Sequence, residues 1–419
     1  MVVVILLTVL ALLLPLVILW PFSRGQKALV LMVIVLHLIG MFLLHYRLVH
    51  TTGLPIVIDV HDDEQKYYDN TAHFANQPPF SVTRSAAIDA AQGSRHFGYE
   101  FVLGTLWTIT SNPMLAMRLL KTLLFFTSLS CLIRVWRTAY GSGLAMGGFA
   151  FMAIVCTPVF YYNYRNLKDS LILALFMFIM ALLDTLLRPR KDQLRPRSTG
   201  KTALGWFVLL ILLYTISIFR LYVAAAIVIS LMMHAIATTP RIGIKGRVAL
   251  LAASIIVVLF ALSTGIVAAM KEMSGGEIPL GTPTLLGILQ AFLSPVPWGV
   301  LVQAEPFNVP FYSIYWLLLP YVLYVFFRHL WGNINWRLFM YIMITYAVGA
   351  PIGDPPRKRL IVYPILVTWL LAHLAYKRWV RAGQAEYEAE VDQNDGQKYE
   401  DYVPVGSGEE IGLNVNSGR

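Results

Sequence analysis

The sequence predicts an all-α fold, a polytopic transmembrane helix bundle of about eleven spans with an interfacial helix in its first outer loop. Three observations lead to this prediction. The chain is 57% hydrophobic and only 13% charged, with a mean hydropathy of +0.64, whereas soluble domains carry more charge. Long apolar runs recur along the chain as far as residue 376. Lysine and arginine gather in alternate connections between these runs.

Most of the apolar runs approach the ~20 residues that a membrane-spanning helix needs. The predicted spans cover residues 2–20, 27–46, 114–137, 141–162, 168–187, 203–219, 221–238, 248–270, 311–328, 337–351 and 360–376. The first run, Val2 to Trp20, lacks a basic start and a small-residue cleavage site, which favours a retained helix over a signal peptide. The segment from His96 to Ser111 is amphipathic and aromatic, which is typical of a helix at the membrane surface.

Two regions of the chain differ in charge. Residues 383–419 hold nine acids and two bases with few apolar side chains, so we predict a disordered cytoplasmic tail. The whole chain has a net charge of +10, so residues 1–382, the predicted transmembrane catalytic domain, carry +17. This excess suits anionic lipid headgroups or an anionic substrate, and charge alone does not separate the two.

The positive-inside rule assigns the two faces of the bundle. With eleven spans, the basic connections after residues 20, 187, 238, 328 and 376 all fall on one side. This side is predicted to be the cytoplasm, with the C-terminus there and the N-terminus outside. The outer side then holds long loops over residues 47–113 and 271–310, and short turns near residues 163–168, 220 and 353–359. We expect a multi-pass protein of the plasma or inner cell membrane with an extracytoplasmic active site.

This topology can be tested by labelling single cysteines. Gln65→Cys lies in the predicted outer loop and is expected to react with an impermeant thiol reagent added outside intact cells. Leu194→Cys lies in a predicted cytoplasmic loop and should react only after the membrane is permeabilised. Equal labelling of the two positions in intact cells would contradict the orientation.

The first outer loop opens on a dense acidic segment from Asp59 to Asp69. Carboxylates beside lipid headgroups are costly, and two in one site suit general acid–base catalysis or a divalent cation. A solvated acidic loop is the alternative. The candidate acids are Asp59, Asp62, Asp63 and Glu64, and the interleaved aromatic residues are Tyr67 and Tyr68.

Several basic residues occupy the predicted outer face, against the positive-inside pattern. Arg165 and Lys168 lie in one outer turn, Arg220 in another, and Arg357 and Arg359 in a third. A phosphate group would account for them. A local inversion of the topology is the alternative for the last turn. Asp169, with Ser170 beside it, could belong to this face or simply cap the following helix.

A third element is the apolar segment from Leu285 to Val300, which prolines interrupt. It is too short to span the membrane with prolines inside, so an interfacial or re-entrant segment that guides a lipid chain is one interpretation. Anchoring of Trp298 at the headgroup level is the other.

These motifs resemble the GT-C superfamily of polytopic membrane glycosyltransferases. The resemblance rests on Asp63-Glu64 followed by Tyr67 or Tyr68 and Ala72, and on the turn from Leu167 to Ser170. The region from Arg118 to Gly141 and the late pair Arg359 and Pro364 add to it. Two features depart from the pattern: the acidic loop follows the second apolar segment, and no large soluble C-terminal domain follows the last span.

The resemblance implies transfer of a sugar from a polyprenyl-phosphate donor to an acceptor on the outer face. The acceptor hydroxyl would be deprotonated by Asp63, with Glu64 and Asp62 as the next candidates. The lipid phosphate would be held by basic side chains from Arg165, Lys168, Arg220 and Arg359. Tyr67 and Tyr68 would stack on a sugar or position the acid. No metal ligand is assigned, although the carboxylates leave a divalent cation open, and nucleic acid is not an expected partner.

Other functions fit parts of the sequence. A polymerase or ligase of lipid-linked oligosaccharides would have a similar face with a different reaction partner. A transporter or flippase would place ionisable residues near the midplane and commonly has paired repeats. Here most ionisable residues lie at span ends, and His37 and His234 are the exceptions near the midplane. No internal repeat is visible. A non-catalytic scaffold would leave the acidic segment without a role.

Overall fold

The computed structural model describes residues 1–57, 63–93, 97–165, 167–187, 199–238, 308–330, 334–349 and 359–393. All regular secondary structure within these ranges is helical, which confirms the all-α prediction. Side chains are described for the same ranges except residues 199, 329–330, 334–336, 347–349, 359 and 383–393.

Two N-terminal helices open the bundle. Helix α1 spans Val2–Ile18, and α2 spans Arg24–Thr52, beyond both ends of the predicted span. A capping box starts α2, because the Ser23 side chain accepts from the Gln26 backbone N–H and the Gln26 side chain accepts from the Ser23 N–H. Gly53 ends the helix in the left-handed conformation, with φ of +72°.

The first outer loop folds into three short helices. They are α3 (Asp63–Ala72), which continues as a 3₁₀ turn over His73–Asn76, α4 (Arg84–Ala90) and α5 (Gly98–Ile109). A small apolar core joins them, made by Phe74, Val82, Ala87, Ala90, Ala91 and Phe97. Helix α5 lies inside the segment predicted to be an interfacial helix.

The centre of the bundle is α6 (Pro113–Tyr140), and most of its residues are buried. Helix α7 (Ser142–Ala150) continues as a π turn over Phe151–Val155. Helix α8 (Thr157–Tyr164) follows at an angle of 55°, so the segment predicted as one straight span over 141–162 is bent at Cys156. Pro158 lies in the first turn of α8, where its missing N–H costs nothing. Helix α9 (Asp169–Leu187) packs along α6.

The remaining helices complete the bundle. They are α10 (Thr199–Phe219), α11 (Leu221–Thr238), α12 (Val309–Val325, extended by a π turn over Phe326–Leu330), α13 (Ile334–Gly349) and α14 (Val362–Gln393, after a 3₁₀ turn over Arg359–Ile361). Trp136 of α6 donates its Nε1–H to Thr368 Oγ1 of α14 at 3.1 Å, which ties the last helix to the central one.

The protein is a polytopic membrane protein. Six of the described helices are long and apolar enough to cross a bilayer, and the number is seven if the bent pair α7–α8 forms one span. Helices α1, α13 and α14 coincide with three further predicted spans, whereas the predicted span 248–270 and the segment Leu285 to Val300 lie outside the described residues. Helix α14 continues to Gln393, so the predicted tail boundary at residue 383 falls inside a helix.

Candidate functional site

Two basic residues are fully buried in the first part of α6. Arg118 and Lys121 both have an exposure of 0%, and they lie three residues apart on one face of the helix. The guanidinium of Arg118 donates from Nη2 to Glu64 Oε1 of α3 at 2.7 Å and from Nε to the Tyr164 carbonyl of α8 at 2.7 Å. Its Nη1 lies 3.2 Å from His45 Nδ1 of α2. One side chain therefore connects α6 to three other helices.

Lys121 closes the end of α8. Its ammonium donates to the carbonyl of Tyr162 at 3.4 Å and to the carbonyl of Arg165. Asn163 adds a hydrogen bond from its side-chain amide to Thr122 Oγ1 of α6, at 2.9 Å. Carbonyls at the end of a helix have no partner within the helix and carry partial negative charge, so cations are suitable caps. The cations of α6 thus hold the break between α8 and α9 in place.

Arg165 follows α8 directly, and its side chain extends toward Glu64, the partner of Arg118. Its Nε lies 3.8 Å from Glu64 Oε2, and its Nη1 donates to the hydroxyl of Tyr161. We call Glu64, Arg118, Lys121 and Arg165 the inner cluster. It is almost sealed from solvent, since Arg165, with an exposure of 8%, is its least buried member.

A second ion pair lies at the neighbouring span ends. Asp169, the first residue of α9, forms an ion pair with Arg220, whose Nη2 lies 2.6 Å from Asp169 Oδ1, and Arg220 lies between α10 and α11. Burial by itself lowers the pKa of Arg220, but the Asp169 carboxylate outweighs it and the pKa is raised. Arg220 also donates from Nη1 to the Tyr222 hydroxyl at 2.8 Å. This guanidinium is therefore held firmly in its charged form.

Lys168 lies among carboxylates from three elements. Burial and the nearby Arg220 lower its pKa, whereas Glu100 of α5, Asp169 of α9 and Asp63 of α3 act in the opposite direction. Its Nζ lies 5.8 Å from the centre of the Tyr67 ring. We call Asp63, Glu100, Lys168, Asp169 and Arg220 the outer cluster. Asp63 and Lys168 are only partly buried, so this cluster is the more accessible of the two.

Glu100 is a member that the sequence analysis missed. Its side chain has an exposure of 5%, and its Oε2 has no hydrogen-bond partner among the described residues. Burial raises the pKa of the Glu100 carboxyl, and Asp63 adds to this, while Lys168 and Lys66 oppose it. A buried carboxyl with a spare oxygen beside a lysine is available to a ligand or to a proton.

Aromatic contacts hold the acidic helix α3 against α5. The rings of Tyr67 and Tyr99 have their centres 4.5 Å apart, and those of Tyr68 and Trp107 are 5.5 Å apart. Trp107 donates its Nε1–H to Thr71 Oγ1 at 3.1 Å. Burial, followed by the neighbouring Asp63, raises the pKa of Tyr67, which keeps its phenol neutral. Tyr67 and Tyr68 therefore pack between α3 and α5 and help to fix α3.

The structure brings together most of the side chains that the sequence singled out. They are Asp63, Glu64, Tyr67, Tyr68, Arg165, Lys168, Asp169 and Arg220, divided between the two clusters and the α3–α5 contact. Asp59, Asp62 and Arg357 lie outside the described residues, and Arg359 is described only as the backbone that starts a 3₁₀ turn. In the part of the chain that the structure describes, no three His, Cys, Asp or Glu side chains are grouped to hold a metal.

Besides Glu100, the sequence analysis missed the site contributions of Arg118, Lys121 and His45. All three lie within predicted or observed spans, where a charged or ionisable residue is itself a signal of function or of a buried partner.

Comparison with known proteins gives one distant likeness in structure. No protein-family model and no curated protein matches the chain. Among solved structures, it is similar to a crystal structure of ArnT from Cupriavidus metallidurans bound to undecaprenyl phosphate, with 14% sequence identity and a TM-score of 0.48. The match covers 88% of this chain and 64% of the ArnT chain, so this chain spans less than two thirds of that protein's length. The function of this chain has to be inferred from its own residues.

Proposed function

We propose that this chain is a membrane glycosyltransferase of the GT-C type, which transfers a sugar from a polyprenyl-phosphate donor to an acceptor. The observation that carries the proposal is the outer cluster, in which the partly buried Lys168, next to the start of the span α9, interacts electrostatically with carboxylates of α3, α5 and α9. Ionisable groups are rarely kept at such positions without a ligand or a reaction to serve. The resemblance of the Asp63-Glu64 and Lys168-Asp169 motifs to GT-C enzymes points to the same chemistry.

Lys168 is placed to hold the phosphate of the donor. Phosphate is the leaving group, and its negative charge grows as the bond to the sugar breaks. Lys168 provides the charge that stabilises it, while Arg220 is already committed to Asp169 at 2.6 Å and sets the position of the turn. The partly buried Lys168 lies directly before the apolar helix α9, so a lipid phosphate bound to it would have its polyprenyl chain along the apolar helices.

Asp63 is placed to act as the general base. It is partly exposed at the start of α3, and it acts electrostatically on both Lys168 and Glu100. In the proposed reaction Asp63 takes the proton of the acceptor hydroxyl, the acceptor oxygen bonds to the anomeric carbon, and the carbon–phosphate oxygen bond breaks. Polyprenyl phosphate leaves with the electron pair of that bond.

Reconstitution tests this function directly. The full chain in proteoliposomes is given a radiolabelled sugar on a polyprenyl phosphate, with an extract of membrane acceptors, in the presence and absence of a chelator. We expect a covalently labelled product together with free polyprenyl phosphate. Uptake of label into sealed vesicles with no covalent product would instead identify a transporter.

The pH dependence of lipid-phosphate binding is expected to report on Glu100. Its raised pKa keeps the carboxyl neutral to a higher pH than an ordinary glutamate, so the repulsion of a phosphate at Lys168 begins only as pH rises through that value. Affinity for polyprenyl phosphate should then fall by about threefold to tenfold, the effect of roughly 1 kcal/mol from one like charge. Glu100→Gln should remove this step and keep the later loss, which follows deprotonation of Lys168.

The matched control is Asp89→Asn, since Asp89 is an exposed acid on α4 of the same loop. Its variant should keep the wild-type pH profile. Binding is measured by titrating polyprenyl phosphate into the protein in nanodiscs at a series of pH values from mildly acidic to alkaline. An unchanged profile in Glu100→Gln would remove Glu100 from the phosphate site.

A further inference from the structure

Arg118 connects α3, which carries the proposed base Asp63, to the end of α8, which leads to the proposed phosphate ligand Lys168. On one side it binds Glu64, the neighbour of Asp63 on α3, at 2.7 Å. On the other side it binds the carbonyl of Tyr164 at 2.7 Å, where α8 ends and the turn leading to Lys168 begins. The base and the phosphate ligand are therefore linked through a single guanidinium.

Stability alone does not call for this arrangement. Burying charged groups is costly, and well-packed apolar side chains of similar volume are often as stable as a buried ion pair or more so. Arg118 and Glu64 are both at 0% exposure, so neither can touch an acceptor or a lipid phosphate in this arrangement. What the pair provides is geometry, because the planar fork of arginine fixes several acceptors in one plane and a lysine cannot.

We propose that Arg118 and Glu64 are a positioning pair, which fixes Asp63 on α3 relative to Lys168 in the turn after α8. The consequence for turnover rests on the proposed function, whereas the geometric role does not. Glu64 then serves α3 as its anchor, and the proton transfer is left to the more exposed Asp63. Lys121 assists by capping the carbonyls of Tyr162 and Arg165 on the other side of the same turn.

The kinetic test is Arg118→Lys, which keeps the charge and loses the fork. A displacement of the base by about 1 Å is enough to cost on the order of 10²-fold in rate. We expect kcat for sugar transfer to fall by about that factor, while KM for the lipid donor stays within about threefold. The matched control is Arg134→Lys, the same change at an exposed position of the same helix, and it should leave both constants unchanged.

The structural test needs no substrate. Spin labels are placed on α3 at Asp69→Cys and at Leu221→Cys beside Arg220, both exposed positions, in a Cys131→Ala and Cys156→Ala background. The distance distribution is expected to be narrow in the parent and in Arg134→Lys, and broadened in Arg118→Lys. Glu64→Gln keeps one hydrogen bond to Arg118, so it should give a smaller broadening and a loss in kcat of about tenfold.

The outcomes separate the two proposals. Broadening in Arg118→Lys without any detectable transferase activity in the parent would support the positioning pair and overturn the proposed function. A narrow distribution with unchanged kcat in Arg118→Lys would overturn the positioning pair, and so would equal losses in kcat and KM with a narrow distribution. If Arg118→Lys does not fold, the same two measurements on Glu64→Gln decide the matter.

Discussion

Replacing Asp63 by asparagine is expected to lower the turnover of sugar transfer by about 10²-fold or more, the usual scale for loss of a general base. The amide keeps the shape of the side chain but cannot take the proton of the acceptor. Binding of the lipid donor should change far less, because the base acts on the acceptor. The measurement is kcat in the reconstituted assay, together with donor affinity from titration in nanodiscs.

The control for this variant lies on the same helix. Asp69 is exposed and accepts from the Gln65 amide at 2.9 Å, so Asp69→Asn should keep near-normal rates. If Asp63→Asn is as active as Asp69→Asn, the base is another residue of the acidic segment. If Asp62→Asn is then active as well, the glycosyltransferase proposal loses its main support.

Replacing Arg220 by methionine is expected to lower the free energy of unfolding by about 3–5 kcal/mol, the usual cost of removing one partner of a buried ion pair. Arg220 and Asp169 have side-chain exposures of 14% and 3%. The variant leaves the Asp169 carboxylate buried at the start of α9 without its Arg220 partner. Stability is measured by unfolding in mixed detergent micelles. The control is Arg47→Met, at an exposed position near the C-terminal end of α2. Its free energy of unfolding should stay within about 0.5 kcal/mol of the parent.

A second substitution shows whether the loss comes from the uncompensated charge. Asp169→Asn combined with Arg220→Met removes both charges, so the double variant should recover a large part of the stability lost in Arg220→Met. If the double variant is as unstable as the single one, packing of the Arg220 side chain rather than its charge supports this junction.

Much of the fold could be predicted because spans are long uniform signals. The apolar runs of α2, α6, α9, α10 and α11 are close to the length of a bilayer crossing, and the helices coincide with them. The break inside the predicted span 141–162 could not be predicted from hydropathy, since residues on both sides of Cys156 are apolar. The caps at the far end of α8 could not be predicted either, because Arg118 and Lys121 supply them from another helix.

The site divides along the same line. Asp63, Lys168 and Arg220 stand out in the sequence because they lie in polar segments close to the ends of long apolar runs, and their grouping follows from placing those ends on one face. Glu100 could not be recognised from the sequence, because it lies in an amphipathic segment, where a single acidic residue is expected on the solvated face. The role of Glu64 depends on Arg118, which lies 54 residues away, and a single sequence contains no signal for that pairing.

The caps on α8 also constrain how the protein is made. Lys121 has its hydrogen-bond acceptors in the Tyr162 and Arg165 carbonyls, which follow it by 41 and 44 residues. When α6 leaves the ribosome, those acceptors have not yet emerged, and a lysine inside a helix entering the bilayer costs up to roughly 3 kcal/mol. We therefore expect α6 to remain beside the insertion machinery until α8 arrives, so that these two helices enter the lipid as one unit during translation.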